Sequence, residues 1–185
     1  MGRKCYTGNL SSEDPAVAGA TGHHGSIMAS QWYSLVTQKL FLAKTLLDQL
    51  EAPAPAPRQE ALTQGAVELM LRARKLLLVM IARHYQERRA MPGTLEELAG
   101  CIGPDAREIG QLTALAAEGT SWWRHLDQLE QHQSQPPATR KTVTDDNIIA
   151  IATEPGPDRS AAGLLTTLTA LKQFAKDLEE WHSEW

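Results

Sequence analysis

Cysteine is scarce in this sequence. Its 185 residues include only two, Cys5 and Cys101, and neither lies in a CxxC pair. The chain therefore lacks both the ligand spacing of a zinc site and the cysteine density of a disulfide framework. This pattern fits a reducing compartment, so we expect a cytoplasmic protein.

Long hydrophobic runs are missing too. The longest apolar block, "LLLVMI" at 76–81, is far shorter than the roughly 18 residues that a membrane-spanning helix requires. No apolar run of about 7 to 15 residues follows Arg3 and Lys4, as it would in a secretory signal. The formal net charge of −4 gives no general attraction to nucleic acid or to anionic membranes. We expect no membrane partner, and nucleic acid binding only through a local basic patch.

Motifs of the common enzyme classes are also absent. The sequence has neither a phosphate-binding glycine loop nor a nucleophile elbow. None of its six histidines follows an arginine at the spacing used by helical ribonucleases of the HEPN type. We therefore expect a non-enzymatic protein with no catalytic residue and no cofactor, although an enzymatic role for an interior site stays open.

What the sequence does contain is helical periodicity. Apolar residues recur at alternating steps of three and four, which predicts amphipathic helices over about 30–51, 58–89, 104–132 and 161–185. Thr94 and Glu97 form a capping box for a short extra helix, and "EGTS" at 118–121 predicts a kink in the third long helix. Because four amphipathic helices bury their stripes only against one another, we expect an all-α fold. The expected architecture is an antiparallel four-helix bundle with a long third connection over about 133–160. The apolar island "NIIAIA" at 147–152 is expected to pack against this bundle.

The first 27 residues differ from the rest. They are rich in Gly, Ser, Ala and Thr and show no helical or strand period, which predicts a disordered tail. His23 and His24 are adjacent, so they do not have the spacing that places two metal ligands on one helix face. Met28 has the character of a translation start and Ser30 that of a helix N-cap. We expect one helical domain over 28–185.

Three residues are candidates for a site in the bundle interior. His84 falls on the apolar stripe of the second helix, and Glu179 and His182 form one E-x-x-H pair on the last. A ferritin-like di-metal centre needs a second such pair and two more inward glutamates, which the sequence lacks. A small-molecule or metal site around His84, Glu179 and His182 therefore competes with the simpler interpretation of a filled core containing satisfied histidines.

Six further residues are candidates for surface contacts. Trp123 lies on an apolar stripe, which leaves Trp122 to meet a partner, and Trp181 and Trp185 flank the stripe of the last helix. Arg72, Lys75 and Arg83 share an outer strip of the second helix, where a solvated face competes with binding to phosphates or an acidic partner. The first hypothesis for function is a protein-interaction or regulatory module, including self-association. The alternatives are the interior site and, more weakly, nucleic acid binding.

Three segments carry a resemblance to a known family. "MASQWYSLVTQKLFLAKTLLDQL", "WWRHLDQLE" and "NIIAIA" resemble a family of small, all-helical proteins of unknown function from gammaproteobacteria. The resemblance covers about residues 28–185. It implies a cytosolic helical domain and supplies no catalytic residue.

A chain that begins at Met28 should unfold cooperatively at the same temperature as the full chain, because the first 27 residues carry no packing pattern. Circular dichroism during heating measures both properties. Loss of the cooperative transition would place those residues within the fold.

Overall fold

The described part of the chain is entirely helical. The computed structural model describes residues 22–51, 54–136 and 156–184, with side chains from residue 31 onward. None of these residues lies in a strand. The helices are α1 (Gly22–Asp48), α2 (Ala56–His84), α3 (Leu95–Ile102), α4 (Arg107–Ala117), α5 (Trp122–Gln133) and α6 (Ala161–Ser183), and a short 3-10 turn (Gln49–Glu51) follows α1.

α1 begins earlier than its amphipathic pattern suggests. Its helical backbone starts at Gly22, eight residues before Ser30, so Ser30 lies inside the helix and is not its N-cap. The helix therefore enters the segment for which the sequence predicts disorder, while residues 1–21 lie outside the described part. The start of the domain at Met28 stays a prediction.

α2 is the central helix. It packs against α1, α3, α5 and α6, and every side chain from Leu76 to Arg83 is buried. The apolar run in this stretch therefore meets neighbours on several sides. α1 faces it with buried residues at the spacing of three and four that the sequence shows, namely Val36, Leu40, Ala43 and Leu47.

α2 ends at His84 rather than near Arg89. Gln86 adopts a left-handed backbone conformation with φ of 63°, which takes the chain out of the helix. The guanidinium of Arg83 donates hydrogen bonds to the carbonyl oxygens of Glu87 and Ala90, the latter at 2.8 Å. These bonds hold the loop after α2 against the helix end.

Thr94 is the N-cap of α3, and the side chain of Glu97 reaches back one residue further than in a capping box, to Gly93. The backbone N–H of Glu97 donates to Thr94 Oγ1 at 3.1 Å, and Glu97 Oε2 accepts from the N–H of Gly93 at 2.7 Å.

The third long helix that the sequence predicts is divided in two. α4 ends at Ala117, and Ser121 caps α5 by accepting from the N–H of Arg124 at 3.0 Å. The expected kink is thus a complete break, because Gly119 is a poor helix former and Ser121 a good cap.

Polar contacts fix the start of α6 against α5 and α2. His125 Nε2 donates to the carbonyl oxygen of Asp158 at 2.9 Å, so its Nδ1 accepts from the hydroxyl of Thr167 at 2.6 Å. Arg159 pairs with Glu60 at 2.5 Å. The "NIIAIA" segment lies outside the described residues.

Arg74 joins α2 to α5. Its side chain donates to Asp127 at 2.5 Å and to Glu130 at 2.6 Å, and its guanidinium lies 5.0 Å from the centre of the Trp123 ring. Only 6 % of Arg74 is exposed, so its charge is stabilised by these two carboxylates and not by water.

Replacing Arg74 by Met should lower the free energy of unfolding by about 2 kcal/mol, because it removes two charge-assisted hydrogen bonds, to Asp127 and Glu130. Denaturant titration measures the change. The matched control is Arg124→Met on the exposed side of α5, for which we expect little change. Equal effects of the two variants would contradict the role of Arg74.

Candidate functional site

The ends of three helices meet at one place. His84 is the last residue of α2 and Tyr85 follows it, Glu108 lies in the first turn of α4, and Glu179 and His182 lie in the last turns of α6. We call these five residues the polar cluster. The three candidates for an interior site are therefore brought together, with Tyr85 and Glu108 added to them.

Glu108 is the centre of the polar cluster. Its residue is only 2 % exposed, yet both carboxylate oxygens are satisfied: Tyr85 donates its hydroxyl to Oε2 at 2.5 Å, and His182 donates from Nε2 to Oε1 at 3.0 Å. Burial opposes ionisation of Glu108, but the hydrogen bonds from His182 and Tyr85 outweigh it and lower its pKa to about 2. Glu108 is thus a buried anion at neutral pH.

The same contacts act on Tyr85. Burial, the hydrogen bond to Glu108 and the negative charge of Glu108 raise the pKa of Tyr85 to about 12. Tyr85 therefore remains a hydrogen-bond donor at every physiological pH. A carboxylate accepts only donors, and the protonated hydroxyl meets that requirement.

His84 and His182 form a parallel stack. Their ring centroids are 4.1 Å apart and the ring planes differ by 11°. Burial, and then the positive charge of His182, lower the pKa of His84 to about 4, although the charge of Glu108 opposes this. Two stacked imidazolium rings repel each other, so the stack favours a neutral His84 beside His182.

The opposite edge of His84 faces Glu179. The Nε2 atom of His84 lies 3.4 Å from Glu179 Oε2, longer than a good hydrogen bond. Both atoms are buried, and neither has a hydrogen-bond partner among the described residues. Burial raises the pKa of Glu179, while the charge of His182 opposes the rise. Both shifts favour the uncharged forms of these two side chains.

A small cavity of about 190 Å³ opens beside the polar cluster. Phe174, Leu178 and Trp181 form its apolar wall, and Arg107, Glu108 and Asp177 contribute the polar part. The guanidinium of Arg107 lies 3.9 Å from the centre of the Trp181 ring. Trp181 is 44 % exposed, so part of the indole surface lies at the rim of the cavity.

The polar cluster does not assemble a metal site. Within the described residues, no group of three or more His, Cys, Asp and Glu side chains is arranged to hold a metal ion. His182 directs Nε2 to Glu108 and stacks its ring face on His84, so these two imidazoles do not converge on a common point. The metal form of the interior-site hypothesis therefore lacks a ligand set in this part of the chain.

Two surface candidates need correction. Trp122 is 6 % exposed and packs against Trp123 and Phe174, with ring centroids 5.5 and 5.6 Å apart. Trp122 is the first residue of α5, and both tryptophans are buried in the core. Arg83 is 5 % exposed and its guanidinium lies 5.3 Å from the centre of the Trp32 ring. The predicted basic strip therefore loses one of its three members.

The four other surface candidates are Arg72, Lys75, Trp181 and Trp185. Arg72 and Lys75 are exposed on α2, and Lys75 lies 3.8 Å from Glu130. Trp185 lies outside the described residues. Trp181 is exposed as expected and belongs to the cavity beside the polar cluster.

Sequence reasoning missed Tyr85, Arg107 and Glu108 as site residues. Glu108 has the signature of a helix-start acid, which the helix dipole favours anywhere on a protein surface. Its burial depends on His182, 74 positions away, and no local pattern reports that contact.

Fold and site together define an all-helical protein with the polar cluster at the place where three helix ends meet. Residues 28–185 match the model of a family of unknown function, DUF6586, and the chain belongs to that family. This confirms the resemblance to a family of unknown function over the same residues. No curated protein and no solved structure matches the chain. Across the described residues, no helix has the length and apolar character needed to cross a membrane.

The stability of the protein should fall as the pH drops from about 6.5 towards 4. The pKa of His84 is about 4 in the folded chain against 6.5 ordinarily, so folding favours the neutral ring. Its contribution is complete above pH 6.5 and is lost as the pH falls from 6.5 to about 4, because the unfolded chain binds a proton there that the folded ring does not; the loss amounts to about 1–3 kcal/mol. Glu179 acts in the opposite direction, because its raised pKa favours folding at low pH.

The His84→Gln variant isolates this effect because it retains Glu179. Urea titrations at about pH 7 and 4.5 should give a smaller loss of stability for His84→Gln than for the original chain. His132→Gln, at an exposed histidine of α5, is the matched control and should keep the full loss. An unchanged pH dependence in His84→Gln would contradict a neutral, buried His84.

Proposed function

We propose that this protein is a non-enzymatic helical domain that binds a protein partner through the cavity beside the polar cluster. The observation that carries the proposal is the size and lining of this cavity. Its volume of about 190 Å³ is below the roughly 300–1,000 Å³ of sites for drug-sized ligands, and it suits a single inserted side chain. A pocket of this kind is typical of an anchor site in a protein interface.

The residue types at the rim support this assignment. Tryptophan, tyrosine and arginine dominate the binding energy of protein interfaces. Trp181 and Arg107 line this cavity, and Tyr85 is hydrogen-bonded to Glu108, another lining residue. Arg107 stacks on Trp181, and Tyr85 is held by Glu108. These side chains are thus ordered before a partner arrives, which reduces the entropy lost on binding.

We further propose that α1, α2, α6 and the α4–α5 pair form an antiparallel four-helix arrangement, with the cavity near one end. The packing of α2 against α1, α5 and α6, and of α1 against α6, supports it. The partner is another protein or a second copy of this chain, and the scarcity of cysteine supports a cytoplasmic setting.

The second candidate function is a small-molecule site in the interior, which would serve either catalysis or binding alone. It is favoured by the buried atoms His84 Nε2 and Glu179 Oε2, which have no hydrogen-bond partner in the described part of the chain. Nucleic acid binding has less support, because Arg83 is buried and Lys75 lies beside Glu130.

Trp181→Ala should remove partner binding without unfolding the protein, since the indole is partly exposed and its loss leaves the core closed. The loss should correspond to about 2 kcal/mol or more of binding free energy. Sedimentation velocity measures self-association, and quantitative affinity purification compares the proteins retained by each variant.

Phe41→Ala is the matched control, because Phe41 is an exposed aromatic residue on α1 outside the cavity. It should bind as the original chain does. The proposal would be contradicted if the original chain were strictly monomeric and if both variants retained the same set of proteins.

A further inference from the structure

The cavity beside the polar cluster has a cation at its rim. Arg107 is the first residue of α4, it is exposed to solvent, and its guanidinium lies 3.9 Å from the centre of the Trp181 ring. An indole ring attracts a cation but supplies neither a carboxylate nor another oxygen acceptor. The planar fork of N–H donors on Arg107 is therefore held in place by the ring and remains able to bind an anion.

No carboxylate of the described chain pairs with Arg107. Glu108, its neighbour, gives one oxygen to Tyr85 at 2.5 Å and the other to His182 at 3.0 Å. Asp177 also lines the cavity, and its Oδ1 accepts from the side-chain amide of Gln173 at 2.7 Å. Arg107 is thus an exposed cation whose charge is not paired by any residue that the structure describes.

The apolar wall next to Arg107 suits an apolar side chain. Leu178 is buried, Phe174 is half-buried, and both belong to the same face of α6 as Trp181. A side chain that covers this wall removes apolar surface from water, which favours binding. Because the cation lies at the rim and the apolar wall lies inside, a partner that satisfies both carries an anion close to an apolar side chain.

We propose that the partner docks through an acidic peptide segment, in which an apolar side chain enters the cavity and a neighbouring Asp or Glu pairs with Arg107. This inference rests on the proposed function, because it specifies the partner of the same cavity. A carboxylate fits the guanidinium fork with two parallel hydrogen bonds, and such charge-assisted pairs are stronger than neutral ones. A basic segment would instead place like charges together, which is unfavourable.

Asp177 restricts where the acid of the segment lies. Its carboxylate lines the same cavity, so an acid placed beside it would be repelled. The next cation on α6, Lys176, is paired with Glu180 at 3.2 Å. We therefore expect the acidic residue on the side of the apolar anchor that faces α4, and a neutral or basic residue next to Asp177.

Selection of short random peptides displayed on phage, with the full chain as bait, tests this chemistry without the natural partner. The selected peptides should share a large apolar residue with an Asp or Glu beside it, and synthetic copies should bind in fluorescence anisotropy. Raising the salt concentration should weaken this binding, because the ion pair at the rim is exposed. In Arg107→Gln most of that salt dependence should disappear.

Charge reversal at Arg107 gives the sharper test. An acid in the first turn of a helix is favoured by the helix dipole, so we expect Arg107→Glu to fold. It should bind the selected acidic peptides at least about tenfold more weakly, and a new selection should favour Lys or Arg beside the apolar residue. Arg124→Glu, at an exposed arginine of α5, is the matched control and should change neither result.

The outcomes separate this inference from the proposed function. Peptides that bind the original chain but not Trp181→Ala, yet carry no acid or bind Arg107→Glu equally well, would overturn only the acidic segment. Peptides that bind Trp181→Ala as tightly as the original chain would overturn both, because the cavity is then not the docking site. A dimer that excludes the peptides and persists in Arg107→Glu would identify a second copy as the occupant and overturn the inference. Failure to select any peptide would overturn it too.

Discussion

The buried carboxylate of Glu108 is the interaction on which the junction of α2, α4 and α6 depends. A carboxylate with 2 % exposure is stable only where donors replace water. Tyr85, directly after α2, and His182 of α6 supply these donors. The hydrogen bonds therefore link the end of α2, the start of α4 and the end of α6. The stack of His84 on His182 extends this link to Glu179.

The described chain divides its buried polar groups into two kinds. Arg74 and Arg83 are held by carboxylates or backbone carbonyl oxygens and serve to join elements. Apart from Arg83 Nε, the buried side-chain atoms without hydrogen-bond partners among the described residues belong to His84, Glu179 and Gln133. Folding rarely leaves such atoms unsatisfied. These three residues lie at or near helix ends, away from the apolar centre of the core.

Several features were predictable because they depend on neighbouring residues. The long helical segments follow from apolar spacing, and the cap of α3 follows from Thr94 and Glu97. His84, Glu179 and His182 could be selected as a set because each lies on or beside a stripe. Trp122 was misplaced, because its burial depends on Phe174 of α6, which is distant in the sequence. Arg83 was misplaced as well, because the loop that covers it follows the helix.

The sequence by itself determined that this chain is helical, where most of its helices lie and that it belongs to a family of unknown function. The helical properties depend on residues three or four positions apart. Only the tertiary structure decided that Glu108 meets His182 across 74 positions and that Arg74 meets Glu130 across 56. Such pairings depend on how whole helices pack, and a charged residue has the same local signature whether it lies in water or in the core.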